Sequence, residues 1–296
     1  MKAALSLLLV SSVAVAEPKR VAVDDPAPAT VEVVEPTPRA AAATTPPPAK
    51  KPRRFFFRLG GVHIAPLASS REMELADVDG AASLALQNGP IEGSGATITS
   101  ATVPGAIVGY VLPWAKGKLA VEVVLGVPFE VRFEATGTLR DESIAPSALG
   151  IPTGVGPLGP ELGKATAIPI VVTLAYAPLG IDRRVVPIVG IGPSILFAKD
   201  GEITNPILTE VGTPTFDISP APGLVLQGGL DVTIYKRIKA RLDIKYIVGM
   251  LARGTVEQVQ VRTPGLPLFD TVEVGTAKMS VWVNPLVVQF GVGADF

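Results

Sequence analysis

Few residues of this sequence could do bond-making chemistry. It holds a single His, His63, and no Cys. A hydrolase built on that imidazole would need a hydroxyl nucleophile and an acid beside it. Ser69 and Ser70 follow closely, but no recognised lipase motif surrounds them, so no catalytic residue is assigned and an enzyme is not expected. One His and no thiol exclude a multi-histidine or thiolate metal site, a disulfide framework and a lipid anchor on Cys. Gly190-x-Gly192 and Gly291-x-Gly293 are too slight for a nucleotide loop, so no cofactor is expected. A formal charge of −1 over 296 residues gives no electrostatic case for nucleic acid or an acidic substrate.

The charges that remain are spaced by twos. Over 224–235, Leu224, Leu226, Gly228, Leu230, Val232 and Ile234 share one face, while Val225, Gln227, Gly229, Asp231, Thr233 and Tyr235 share the other. Over 238–248, Ile238, Ala240, Leu242, Ile244, Tyr246 and Val248 oppose Lys239, Arg241, Asp243, Lys245 and Ile247. Lys236-Arg237 alone separates the two stretches, which makes them a hairpin. The same alternation runs through 119–134, where Glu122 and Val124 lie on the mixed face. It recurs in 286–296, where Val287 and Gln289 do. A helix would spread these charges round its whole surface, so strands are expected.

The elements that must position these residues are eight strands near 55–68, 101–114, 118–134, 166–179, 185–199, 222–235, 238–252 and 279–296. Their connections alternate. Those at 115–117, 180–184 and 236–237 are short; those at 69–100, 135–165, 200–221 and 253–278 are long and rich in Gly, Pro, Thr and acids. An outer-membrane barrel has this rhythm, and an even strand count puts both chain ends on the short-turn, periplasmic side. Without a spanning helix, only a closed barrel can pair every backbone group in hydrocarbon. The expected fold is therefore all-β, an eight-stranded antiparallel transmembrane barrel over 55–296, with outer-membrane lipids and lipopolysaccharide as its surroundings. Trp114, Tyr235 and Phe296 would form an aromatic belt at the short turns. A soluble sandwich or lipocalin-type barrel shares the alternation but turns its apolar faces inward. Pro128, Pro169, Pro187, Pro193 and Pro285 fall inside proposed strands, where they forfeit ladder bonds.

The beginning of the chain has a different composition. Met1-Lys2, an apolar run over 5–15 and Ala14-Val15-Ala16 read as a secretory signal over 1–16. Residues 17–54 are rich in Pro and Ala and end in Lys50-Lys51-Pro52-Arg53-Arg54, which reads as a disordered periplasmic linker.

Several motifs in order resemble the OmpW family of small outer-membrane barrels. They are Gly223-x-x-x-Gln227-x-Gly229-x-Asp231, then Asp243-Ile244-Lys245-Tyr246, with support from Val127-Pro128-Phe129, from 187–192, and from Asn284-Pro285 with 291–296. The fifth-strand motif has Ile188 where the family usually has an aromatic, and the Pro-rich segment lies outside the family pattern. The resemblance implies a narrow, partly hydrophobic lumen and passage of small hydrophobic molecules.

Two sets of lumen-lining residues follow from the alternation. Glu122, Asp231, Arg241, Asp243 and Lys245 should cluster toward the short turns, with opposite charges paired across strands, and Gln227 and Gln289 also line the lumen. Val124, Val171, Val225, Ile247 and Val287 should lie mostly further away. A charged plug under a greasier chamber suits a passive channel or carrier for an apolar solute. The alternatives are an interior simply filled with side chains, and a non-conducting adhesive barrel whose long loops bind partners. Closure itself is checked on a gel: the folded chain should migrate differently before and after boiling, and unchanged migration would speak against a closed barrel.

Overall fold

The computed structural model describes residues 54–296. The signal peptide and the Pro-rich linker, apart from Arg54, lie outside the described residues. No helix among the described residues is long and apolar enough to cross a membrane. Eight strands carry the wall: β1 Phe55–Ala65, β2 Ala101–Val111, β3 Leu119–Gly126, β4 Glu161–Tyr176, β5 Val185–Ile203, β6 Ala221–Tyr235, β7 Ile238–Val248 and β8 Leu286–Asp295. Each pairs antiparallel with its neighbour in this order, and β8 closes the ring on β1 from Phe56↔Asp295 to Ala65↔Leu286. Both ends of the described chain meet at the short-turn rim. Arg54 N–H donates to Phe296 O at 2.8 Å, and Phe296 N–H donates to Phe55 O at 2.7 Å.

The outward faces of these strands are apolar. Leu59, Leu174, Ile191, Leu226, Leu242, Ile244 and Phe290 are exposed on the outside. Phe55 stacks on Tyr110 at 4.8 Å, and Trp114, Tyr235 and Phe296 are 72%, 58% and 65% exposed around the same rim. That is the composition of a lipid belt with interfacial aromatics.

The four long connections are not simply loops, as their composition suggested. Segments Ser94–Ile98, Phe129–Gly137, Thr215–Ser219, Leu251–Arg262 and Thr271–Trp282 continue the same ladders beyond the belt, and Glu74–Ala76 joins the last of them. The wall therefore has a second tier. Between tiers most strands break: at Pro66, Thr99-Ser100, Val127-Pro128, Pro220, Gly249-Met250 (Gly249 at φ +75°) and Asn284-Pro285. Pro128 and Pro285 thus sit at breaks, where no ladder bond is owed.

At most breaks the side-chain phase also slips by one residue. Strand 118–134 was expected to keep one face from Leu119 to Phe133. Instead Ala120 and Glu122 point in before the break, and Val131, Phe133 and Ala135 point in after it, while Glu130 and Arg132 turn out to solvent. A one-residue slip exchanges the two faces of a strand. The result is an inversion of polarity along the wall. In the belt, charges are inside and apolar groups outside; in the upper tier, Phe133, Leu162, Phe216, Val256, Val274 and Met279 pack inside, and Arg253, Glu257, Glu273 and Lys278 face out.

The face assignment is tested by Leu226→Arg, which puts a charge on the belt. It should cost about 2–4 kcal/mol if the position is near midplane, read as a shift in urea unfolding of the chain in phospholipid vesicles.

Candidate functional site

The interior holds two layers of different chemistry. At the short-turn end the bore is filled by one ionic network. Lys239 bonds Asp295 at 2.9 Å and the Ile181 carbonyl at 2.6 Å. Asp295 accepts from Arg58 at 2.7 Å, and Arg58 also reaches Asp231 at 3.0 Å. Asp231 accepts from Arg241 at 2.8 Å, and Arg241 bonds Glu122 at 2.7 Å. Gln227 donates to Glu122 at 2.7 Å and to Asp243 at 3.0 Å, and Lys245 closes the chain on Asp243.

All the charged members are at most 4% exposed. The bases Arg58, Lys239, Arg241 and Lys245 match the acids Glu122, Asp231, Asp243 and Asp295 one for one. A neutral, hydrogen-bonded set is the form in which buried charge is tolerated; an unmatched member would be held at a cost of several kcal/mol. Phe56 fills the middle of this layer. The guanidinium carbons of Arg58 and Arg241 both lie 5.2 Å from its ring centroid. Its neighbour across the ladder is Gly109, and a Cβ there would stand 2.0 Å from Phe56 Cζ, so only glycine leaves room for the ring.

Beyond the network the interior becomes apolar. A cavity of about 100 Å³ is lined by Val62, Val124, Val131, Phe133, Ala167, Pro169, Val171, Leu196, Ile247 and Val287, among others. Its polar lining residues are Thr99 and Lys245. The cavity lies at the level of the breaks, and there the wall itself is incomplete. Ladder pairing of β4 with the third strand stops at Val171↔Val124 and resumes at Ala167↔Phe129. Residues 125–128 and 168–170 face each other unpaired, with Pro128 and Pro169 lacking an N–H to offer. Gly126, Val127 and Pro169 line the cavity, while Leu125, Val127 and Ile170 are exposed on the outside.

The fold of this closed ring is shared with a solved structure. The chain is similar to the outer membrane protein OprG from Pseudomonas aeruginosa, with a TM-score of 0.62 and 20% identity over 82% of this chain and 96% of that one. The fold is that of OprG. Looser likenesses are the outer membrane protein AlkL (TM-score 0.48, 16% identity, 86% of this chain and 97% of that one) and the E. coli Outer Membrane Protein W (0.42, 16%, 82% and 98%). No protein-family model matches the chain, and no curated protein resembles it closely enough to count as a match.

Within this OprG fold the residues singled out in the sequence fall as follows. Glu122, Gln227, Asp231, Arg241, Asp243 and Lys245 meet in the one network. Val124, Val171, Ile247 and Val287 line the apolar cavity. Val225 is fully buried inside the wall. Gln289 is 2% exposed and makes no hydrogen bond to the network. Sequence reasoning did not select Arg58, Phe56, Lys239 or Asp295. Lys239 and Asp295 already lay on the mixed faces of their strands. Arg58 is hidden between Phe57 and Leu59, and the signal for it was its phase, two residues from Gly60 on the face opposite Phe55, Phe57 and Leu59. His63 lies on the outer face, where its Nδ1 shares a hydrogen bond of 2.8 Å with Thr102 Oγ1; the Ser70 hydroxyl donates to the Arg71 carbonyl.

Removing one base strands its acids. Arg241→Met should destabilise the barrel by about 3–5 kcal/mol, because Glu122 loses its direct salt-bridge partner. Adding Glu122→Gln to the same chain should recover most of that loss, since Asp231 keeps Arg58. Guanidinium unfolding of both variants in detergent micelles measures the difference.

Proposed function

We propose that this chain is a passive outer-membrane carrier for small hydrophobic molecules. It sits with its short turns, the end of β8 and its N-terminal linker in the periplasm, amid lipid and lipopolysaccharide. The observation that carries the reading is the apolar cavity lying directly over a plug that fills the bore, at the one level where the wall between β3 and β4 is unpaired.

The two layers act differently on a solute. An apolar molecule loses about 25 cal/mol per Å² of unfavourable water contact on entering the cavity. Going straight on would require it to part the paired charges of the network, which returns nothing to it and costs ion pairs. Leaving sideways past Gly126, Val127, Pro169 and Ile170 requires no ladder bond to be broken, because none spans that stretch. Lipid acyl chains outside are as apolar as the cavity, so the step is nearly neutral. The solute thus reaches the bilayer without crossing the polar end of the barrel. Ions and sugars gain nothing from the cavity and are stopped by the plug.

Intact Gram-negative cells producing the full chain provide the test, since their lipopolysaccharide leaflet slows apolar probes. Uptake of N-phenyl-1-naphthylamine, followed by its fluorescence on reaching lipid, should be faster than in cells with empty vector. Ala167→Trp fills the cavity and should bring uptake back to the vector rate while gel migration still reports a folded barrel. Equal uptake with and without the chain would refute the proposal and leave a structural or adhesive role, with the upper tier as the working part.

A further inference from the structure

The main cavity is not the only void in the interior. A second, of about 40 Å³, lies in the upper tier and is lined by Met73, Leu139, Leu162, Val256, Val274 and Met279 among other apolar residues. A third, of about 20 Å³, shares Ile144 and Val274 with the second. The three follow one another along the ladders. On Leu251–Arg262, Ala252 lines the main cavity and Val256 the second; on Thr271–Trp282 and the residues after it, Val283 lines the main cavity and Met279 the second.

What separates the main cavity from the second is a pair of rings. Phe133 and Phe216 meet edge to face, centroids 5.3 Å apart at 85°, and both are nearly inaccessible. Phe133 forms part of the main cavity's lining. Phe216 lies against Gly254, where an added Cβ would come 2.8 Å from Phe216 Cε2 and 3.0 Å from Cγ of Met279, a lining residue of the second cavity. Ile98 and Val256 sit directly across the ladders from the two rings, while other inward positions nearby are small. Ala135 and Ala165 are each 2% exposed and belong to the same packed cluster. Small residues on the surrounding strands make room for two rings to close the bore between them.

We infer that Phe133 and Phe216 are the size-selecting partition of the route, a conclusion that rests on the carrier reading above. In an ordinary close-packed interior a ring has nowhere to turn. Here Phe133 borders the main cavity on one side, and Met279, which shares Gly254 with Phe216, borders the second on the other, so the ring pair can shift and let a narrow apolar molecule pass. A constriction made wholly of aromatic and aliphatic surface also excludes water and ions. The ring pair therefore sets an upper limit on solute width, and the cavities on either side hold the solute before and after it.

The experiment compares naphthalene with the wider pyrene in the same cells, full chain throughout, each read by its own fluorescence on entering lipid. The native chain should speed naphthalene entry and leave pyrene near the vector rate. Phe216→Ala should raise pyrene entry by about tenfold, the factor that ~1.4 kcal/mol represents, and Phe216→Trp should slow naphthalene. Phe133→Leu gives a second reading in the same direction if Phe216→Ala fails to show folded migration on gels. Equal acceleration of both probes by the native chain, or a pyrene-to-naphthalene ratio that neither replacement moves, overturns the partition while leaving the carrier reading intact. Uptake at the vector rate for every chain and both probes removes the carrier reading, and the partition with it.

Discussion

A backbone N–H or C=O surrounded by hydrocarbon has no water to bond, and leaving it unpaired costs several kcal/mol. Every large feature of this molecule answers that constraint. The eight strands pair all the way round, β8 returning to β1 over ten consecutive residue pairs, so the belt has no sheet edge. Departures from pairing occur where the constraint is relaxed: at the breaks between the two tiers, where Pro66, Pro128, Pro220 and Pro285 stand. The unpaired stretch between 125–128 and 168–170 belongs to the same level. Two prolines in it reduce the number of donors that would otherwise be stranded.

The surroundings also set which face of each strand is greasy. Lipid favours apolar side chains outside, which leaves the interior as the place where polar groups can be kept. The belt accordingly carries eight charged side chains inside in a balanced network. Above the breaks the outside is suited to water, and the preference reverses. The phase slips at Val127-Pro128, Pro220 and Gly249-Met250 accomplish the reversal, because a shift of one residue exchanges the two faces of a strand. The cavity over the plug follows from this change. It occupies the level where the interior has already turned apolar and the exterior has not yet turned polar.

The network and the cavity act on a solute in opposite senses. The plug is held together by interactions that an apolar molecule cannot replace, so it resists passage along the axis. The cavity is favourable to the same molecule for the reason that makes it empty of polar partners. The proposed carriage would draw only on a gradient and on a wall that is weak at one height.

Much of the belt was legible in the sequence. Over 224–248 the alternation is nearly unbroken, since lipid on one side and paired charge on the other leave each position a clear preference, and the hairpin at Lys236-Arg237 fixes the register. That was enough to place Glu122, Gln227, Asp231, Arg241, Asp243 and Lys245 on the inward side. The upper tier was not legible. Its segments are rich in Gly, Pro and Thr, and alternation alone does not say which face meets water. Nor could the phase slips be seen, because a proline within a strand is compatible with a bulge, an edge or an end, and only the partner strand decides among them. Arg58 joined the network, Phe133 turned inward to meet Phe216, and Ile168–Ile170 lost their partners on the third strand for this same reason. By itself the sequence determined the period of each strand and the chemistry of its two faces, which are local properties. The tertiary structure alone decided how the rungs align between strands remote in the chain, and with that alignment which charges pair, where the wall opens and where the interior is left empty.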